Sequence, residues 1–204
     1  MVEISRKVHE IEDWLGEGSL NFFGLPFAGK DTNAAELAAH FGVEVLGGGH
    51  ILRNSIIPED IQMLMDSGEL IPSEDYSKIV LPFLGQTAFR GKPLILSSVG
   101  RVGGEEIGVL RATKDAGHPT LAVPYLHITI DEARHRHSNS PDRGRADDSP
   151  ESLEIRFKEF EDKTVPVIKA YEEAGLLVPI NAMQDKVGVF NSLVNELHDR
   201  AVAS

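Results

Sequence analysis

The feature that most constrains the fold is a regular alternation of short apolar runs with longer amphipathic segments. Runs of this length, apolar throughout, are typical of parallel strands that are covered on both faces. Parallel pairing also requires a long crossover between strands, which is usually a helix. The sequence therefore predicts an α/β fold of three layers, in which helices cover both faces of a five-stranded parallel sheet. The five predicted strands are residues 20–24, 43–46, 93–98, 120–128 and 176–180.

One long helix is predicted towards the end of the chain, over residues 149–175. Ser149 is a suitable N-cap, and Gly175 is a suitable residue for the end of the helix. Pro166 lies inside this segment and should interrupt the regular helix, because proline has no backbone N–H to donate. Residues 1–18 predict a separate amphipathic helix at the N-terminus, which we expect to pack against the body of the protein.

Charge and composition exclude several classes of function. The chain of 204 residues carries a formal net charge of −12, which disfavours general binding to nucleic acid or to an anionic membrane. It contains no cysteine, so it has neither a disulfide framework nor a thiolate zinc site. No apolar run has the length of a membrane span, and the first residues do not form an apolar leader. We expect a cytoplasmic protein that acts as a monomer.

The loop between the first strand and the first helix has the sequence GLPFAGK and fits the phosphate-binding pattern G-x-x-x-x-G-K. The glycines of such a loop let backbone N–H groups point at phosphate oxygens, and the lysine reaches the terminal phosphates. An ordinary strand–helix turn that contains Gly-Lys is the alternative. The residues expected to bind ATP are Gly24, Pro26, Phe27, Ala28, Gly29, Lys30, Asp31 and Thr32.

From about residue 19 to its end the chain resembles the adenylate kinase family of nucleoside monophosphate kinases. The loop GLPFAGKDT is similar to the family's G-x-P-G-x-G-K-G-T, and residues 143–182 are similar to its C-terminal arginine- and aspartate-containing block. Weaker similarity covers GGGHILR (47–53), LMDSGELIP (64–72) and LILSSVGR (94–101). The short interval before the long helix resembles the short-lid members, which include the UMP/CMP kinases.

The resemblance implies a P-loop NTPase fold and transfer of the γ-phosphoryl group of ATP, with Mg²⁺, to a nucleoside monophosphate. AMP is the leading acceptor. The implied domain covers residues 19–204 and follows a helical extension over residues 1–18. Its mobile parts would be acceptor-binding helices at about 47–86 and a short lid at about 134–148.

The same resemblance implies a set of site residues. Any single arginine is more often a solvated surface residue, but the set taken together favours a binding role. The implied catalytic residues are Lys30, Arg101, Arg145 and Arg156. The implied acceptor-binding residues are Gly48, Arg53, Glu69, Leu70, Ile71, Ser98, Arg101 and Glu105. The implied lid residues are Arg134, Arg143, Asp147 and Asp148.

Two departures from the family pattern concern the metal. Ser97 and His50 stand where the family has aspartates that help to order water around Mg²⁺. Asp31, which follows the loop lysine, introduces a carboxylate, and we expect it to hold Mg²⁺ directly or through one water. The alternative is a first-turn carboxylate that faces outward. A weakened nucleotide-binding relative that acts as a sensor or structural binder is one alternative function, and a kinase of another small metabolite is a second.

A third departure concerns the acceptor base. Glu105 lies four residues after Arg101, where the family carries a glutamine, and Gly48 replaces a threonine. Because an ionised carboxylate only accepts hydrogen bonds, it leaves N1 of adenine without a donor. We therefore expect weaker discrimination of AMP against CMP or GMP than in an ordinary adenylate kinase. The alternative is that Glu105 faces solvent, or that Gly103 or Gly104 shifts the register.

Overall fold

The computed structural model of the chain describes residues 2–86, 89–140 and 146–204. One sheet contains five parallel strands in the order β2-β3-β1-β4-β5. The predicted α/β class and parallel sheet are therefore confirmed, and each strand lies within one or two residues of its predicted bounds. The strands are β1 (Ser19–Gly24), β2 (Val45–Gly47), β3 (Leu94–Ser97), β4 (Thr120–His127) and β5 (Leu177–Asn181).

Helices connect the strands and cover both faces of the sheet. The helices before β3 are α1 (Val2–Leu15), α2 (Lys30–His40), α3 (Gly48–Arg53), α4 (Glu59–Ser67) and α5 (Ser73–Leu84). The later helices are α6 (Glu105–Asp115), α7 (Ile130–Ser138), α8 (Pro150–Glu159), α9 (Val165–Glu173) and α10 (Lys186–Ala203). Within the described ranges, no helix is both long enough and apolar enough to cross a membrane.

The apolar residues form two buried clusters. The larger cluster packs β1, β4 and β5 against helices that include α2, α9 and α10, and every residue of β1 is buried. Helix α1 belongs to this cluster, because Val8, Ile11 and Leu15 are buried in it. The smaller cluster packs β3 against α3, α4, α5 and α6. The α3–α5 region therefore has a core that is partly its own.

The long helix predicted near the C-terminus is divided in two. The Ser149 hydroxyl accepts a hydrogen bond from the backbone N–H of Ser152, as expected for an N-cap. Residues Phe160–Thr164 form one π-helical turn between α8 and α9, and Pro166 is the second residue of α9. Since Pro166 cannot donate to the carbonyl one turn earlier, the hydrogen-bond ladder changes spacing there.

The parallel arrangement brings several loops to one edge of the sheet. The register pairs Ser97, the last residue of β3, with Phe22 of β1 and with Gly47 of β2. The loop after β1, the start of α3 and the loop after β3 therefore emerge side by side. Ligands of open α/β sheets bind at this carboxyl edge.

Candidate active site

The loop after β1 leads directly into the N-terminus of α2. Gly24 approaches β4 so closely that a Cβ there would lie 2.7 Å from the carbonyl oxygen of Leu126. Gly29 adopts a left-handed conformation and precedes Lys30, the first residue of α2. The first backbone N–H groups of the helix face this end, which is a suitable place for an anion.

Phe27 occupies an unusual position in the same loop. It has a positive φ of 64°, which costs a residue with a side chain about 1–2 kcal/mol. Its ring contacts the imidazole of His137 on α7 edge-on, with 5.0 Å between the ring centroids. His137 Nε2 in turn lies 2.8 Å from the carbonyl oxygen of Asp148, in the turn before α8. The loop is thereby packed against the segment that the resemblance assigns to the lid.

A cavity of about 280 Å³ lies between the N-terminus of α2, strand β2, the segment from α3 to α5, the loop after β3 and helix α8. Four cationic side chains from four separate parts of the chain line it: Lys30, Arg53, Arg101 and Arg156. A small cavity of about 30 Å³ adjoins it and shares Lys30, Arg101 and Arg156. In a chain whose net charge is −12, four cations thus converge on one cavity, which is also lined by the carboxylates of Asp31, Glu69, Glu105 and Asp147.

Most of the predicted site residues meet at these cavities. The larger cavity is also lined by Asp31, Glu69, Leu70, Ile71, Ser98, Glu105 and Asp147, and the smaller one is lined by Gly24 and Pro26. Ala28 is fully buried behind the loop, and Gly48 lies beside the Tyr76 hydroxyl. Arg143 and Arg145 lie outside the described residues, as does part of the predicted lid.

Seven of the predicted residues in the described ranges line neither cavity: Phe27, Ala28, Gly29, Thr32, Gly48, Arg134 and Asp148. Thr32 is exposed on the first turn of α2. Arg134 of α7 makes two hydrogen bonds of 2.8 Å with the carboxylate of Glu154 on α8, and its guanidinium lies 5.7 Å from the centre of the Phe157 ring. These contacts hold the Arg134 side chain between α7 and α8.

The four cations differ in their surroundings. Arg156 is largely buried, and its Nη1 lies 3.0 Å from Oδ1 of Asp148 and 3.4 Å from Oδ2 of Asp147. Burial lowers the pKa of Arg101, and the nearby Tyr76 and Glu105 oppose this effect. Arginines held in this way present planar donors that suit phosphate oxygens.

A carboxylate and a hydroxyl meet on the wall of the larger cavity. Ser97 Oγ donates a hydrogen bond of 2.5 Å to Asp31 Oδ1, which joins the end of β3 to the start of α2. Asp31 Oδ2 lies 4.0 Å from the Lys30 ammonium. No group of three or more acidic, histidine or cysteine side chains that could hold a metal occurs within the parts of the chain that are described.

Sequence reasoning missed several residues that line these cavities, and among them Tyr76 and Glu159 accept hydrogen bonds from backbone N–H groups. Tyr76 of α5 lines the larger cavity, and its hydroxyl oxygen accepts a 2.8 Å hydrogen bond from the backbone N–H of Gly100. Glu159 of α8 accepts a 3.2 Å hydrogen bond from the backbone N–H of Leu70. Both residues have the spacing of ordinary helix residues, so no local signal distinguishes them.

A glycine-containing loop that joins a parallel strand to a helix, with a lysine at the helix start, defines a P-loop NTPase fold. Comparison with known families agrees, since a family model described as an AAA domain matches residues 23–154. The chain belongs to this family.

The relatives define the relationship more closely. An adenylate kinase of Bifidobacterium longum is 29% identical over 184 residues, which cover 87% of this chain and 98% of the relative. An adenylate kinase of Rhizobium meliloti is 28% identical, covering 81% of this chain and 92% of the relative. An adenylate kinase of Thermus thermophilus is 27% identical, covering 79% of this chain and 87% of the relative. The predicted resemblance is confirmed: the chain is a relative of the adenylate kinases, a family of phosphotransferases.

Proposed function

We propose that the protein is a nucleoside monophosphate kinase that transfers the γ-phosphoryl group of ATP to a nucleoside monophosphate, with AMP as the leading acceptor. The observation that carries the proposal is the cavity in which Lys30, Arg53, Arg101 and Arg156 converge. Two bound nucleotides bring many negative charges together, and an acidic chain must concentrate its cations to hold them. The adenylate kinases among the relatives support AMP.

The positions of the cations suggest a division of roles. Lys30 follows the glycine loop at the N-terminus of α2 and would hold the terminal phosphates of ATP. Arg53, at the end of α3, would bind the phosphate of the acceptor. Arg101 and Arg156 line both cavities and would stabilise charge on the transferred group. Phosphoryl transfer needs positioning, neutralisation of charge and exclusion of water rather than a protein nucleophile.

The donor set also fits Mg²⁺ bound together with ATP. Magnesium is usually held by one or two carboxylates, by substrate phosphates and by water. Asp31 supplies a carboxylate on the cavity wall, and the Ser97 hydroxyl fixes one of its oxygens. We propose that Asp31 is the magnesium ligand, directly or through one water. Bound there, Mg²⁺ would neutralise part of the phosphate charge.

The organisation of the chain is proposed on the same basis. Residues 19–204 would be the kinase domain, with acceptor helices at about 47–86 and a short lid at about 134–148. The extension over residues 1–18 would be structural, since α1 packs in the larger buried cluster. Arg143 and Arg145 would act from the lid. We further propose a cytoplasmic monomer, which gel filtration and cell fractionation can test.

The direct test incubates the protein with ATP, Mg²⁺ and each common nucleoside monophosphate in turn, and measures ADP in a coupled assay. We expect AMP to give the highest turnover. Arg53→Ala should raise KM for the monophosphate much more than KM for ATP, whereas the exposed Arg111→Ala on α6 serves as a control. Failure to convert any monophosphate would overturn the proposal.

A second candidate, a nucleotide-binding protein without turnover, is favoured by one observation. The end of β3 carries Ser97 rather than a carboxylate, so the only acidic group beside Ser97 in this part of the described cavity wall is Asp31. Tight binding of ATP without formation of ADP would support this candidate.

A further inference from the structure

The loop after β3 carries Arg101 and is held by side chains rather than by neighbouring strands. The four consecutive backbone N–H groups from Val99 to Val102 all donate hydrogen bonds, and every acceptor is a buried side chain. The acceptors are Asn21 of β1, Tyr76 of α5 and Glu105 of α6. Because these N–H groups are occupied, the loop offers a bound anion the side chain of Arg101 and not a row of backbone amides.

Asn21 is the unexpected member of this set, because it is a polar residue within a strand that is buried throughout. It is fully buried, and its neighbours in β1 are Leu20 and Phe22. Its Oδ1 accepts a 3.2 Å hydrogen bond from the N–H of Val99, and its Nδ2 donates a 2.8 Å hydrogen bond to the carbonyl oxygen of the same residue. A buried amide is costly unless it is hydrogen-bonded, and here one residue of the loop satisfies both of its functions.

The conformation that Asn21 holds is strained. Ser98 has a positive φ of 52°, which costs a residue with a side chain about 1–2 kcal/mol. Gly100 also has a positive φ, of 75°, so the chain turns on both sides of Val99, which is fully buried. A strained backbone persists only where its surroundings fix it, and such positions are concentrated at functional sites.

Thr164 holds the loop from the opposite side. It is 2% exposed, and its hydroxyl donates a 3.1 Å hydrogen bond to the carbonyl oxygen of Arg101. Thr164 stands at the N-cap position of α9, as Ser149 does for α8, yet within α9, which is described throughout, its hydroxyl caps no N–H group. It is also the last residue of the π-helical turn, a feature that is frequent at functional sites. The hydroxyl therefore joins the α8–α9 region to the loop.

We propose that Asn21 and Thr164 are positioning residues for phosphoryl transfer, because they hold the loop after β3 so that Arg101 enters the site in one orientation. This inference rests on the proposed function. Arg101 lines both cavities, whereas Asn21 lines neither and can act only through the loop. Thr164 borders the small cavity, but its hydroxyl proton is already donated to Arg101. A misplaced guanidinium loses most where charge develops on the transferred group, since this stabilisation depends on preorganised donors.

The test replaces each side chain by one of similar size that cannot form these hydrogen bonds. With ATP and AMP, Asn21→Leu and Thr164→Val should each lower kcat about tenfold to a hundredfold and change the Kd values of both nucleotides less than about threefold. Thr164→Ser keeps the hydroxyl and should recover most of the turnover. Thr113→Val is the matched control, because Thr113 is fully buried, binds a backbone carbonyl oxygen and lines neither cavity. It should lose stability in urea titration without losing kcat.

A double-mutant cycle separates positioning from a general loss of structure. In an Arg101→Ala background, Asn21→Leu and Thr164→Val should lower kcat no further, because the group that they position is absent. An undiminished loss in that background would overturn the inference. Equal losses of kcat in Thr113→Val and Thr164→Val would overturn it as well.

Failure of the proposed function is recognised separately. If the wild type converts no monophosphate, the kinase proposal fails, and the same cycle is measured on the binding of ADP with Mg²⁺ and aluminium fluoride, which mimics the transferred group. Arg101→Ala, Asn21→Leu and Thr164→Val should each weaken this binding, and the double variants should bind no more weakly than Arg101→Ala alone. Unchanged binding in the single variants, or additive losses in the double variants, would overturn the positioning inference.

Discussion

Replacing Asp31 should greatly reduce the dependence of ATP binding on magnesium. Asp31 Oδ2 lies 4.0 Å from the Lys30 ammonium, and the Asp31 side chain is 66% exposed. A phosphate oxygen that contacts Lys30 at about 3 Å, at a right angle to this pair, would lie roughly 5 Å from the carboxylate. At that separation two unit charges repel by about 0.8 kcal/mol in water and by about 3 kcal/mol near a protein surface. Because the Asp31 side chain is largely exposed, we use a repulsion of about 1–2 kcal/mol, which changes the affinity for ATP about tenfold.

The expected result has opposite signs with and without the metal. Asp31→Ala should bind metal-free ATP about tenfold more tightly, because the repulsion is removed. It should bind Mg²⁺-ATP more weakly by a similar factor, because a ligand of the metal is lost. The ratio of the two dissociation constants should therefore change by about a hundredfold. Isothermal titration calorimetry with ATP, in excess Mg²⁺ or in EDTA, measures both constants without requiring turnover.

Two further variants make this result specific. Glu36→Ala removes one negative charge from the exposed face of the same helix and should leave the ratio unchanged. Ser97→Ala removes the 2.5 Å hydrogen bond that fixes Asp31 Oδ1 and should change the ratio by a smaller amount. Identical ratios in the wild type and Asp31→Ala would refute the reasoning and place the carboxylate outside the metal site.

Three other predictions concern phosphoryl transfer, packing and the pH dependence of stability. Lys30→Ala should lower kcat by orders of magnitude rather than only raise KM, because the lysine is proposed to act on the transferred group; steady-state kinetics with near wild-type turnover would contradict this. Gly48→Ala should lower the free energy of unfolding by about 1–3 kcal/mol in urea titration, since its Cβ would lie 2.8 Å from a tyrosine hydroxyl, whereas Gly103→Ala has no atom within 4 Å and should not. The hydrogen bond from His198 lowers the pKa of Glu10, so this contact between α1 and α10 stabilises the protein above the ordinary carboxyl pKa and is lost as pH falls through the lowered value. As pH is lowered, the melting temperature of Glu10→Gln should therefore fall less steeply than that of the wild type. An equal fall in both proteins would contradict this account.

Much of the fold could be predicted because its signals are local. Five apolar runs of strand length, separated by amphipathic segments, specify a parallel sheet, since only covered strands are apolar on both faces. The cap at Ser149 and the break before Pro166 also follow from single residues, through a hydroxyl acceptor and a missing N–H. The glycine loop and its lysine are likewise contiguous in the sequence.

The resemblance to the adenylate kinases predicted more residues of the site than residue patterns alone. It identified Arg53, Arg101 and Arg156 as members of one set, although each is an ordinary arginine by local criteria, and all three line the cavity. It also included Arg134, which lines neither cavity and pairs with Glu154 between α7 and α8. A charged side chain on a helix binds whichever opposite charge the neighbouring helix presents, and the sequence does not fix that neighbour.

By itself, the sequence determined the order of strands and helices, the phosphate-binding loop and the excess of negative charge. Only the tertiary structure decided which polar groups meet. Ser97 reaches Asp31 across 66 positions of sequence, and the loop after β3 joins Tyr76 to Glu105 through neighbouring amides. Hydrogen bonds act over about 3 Å, so they depend on how the elements pack rather than on any pattern along the chain.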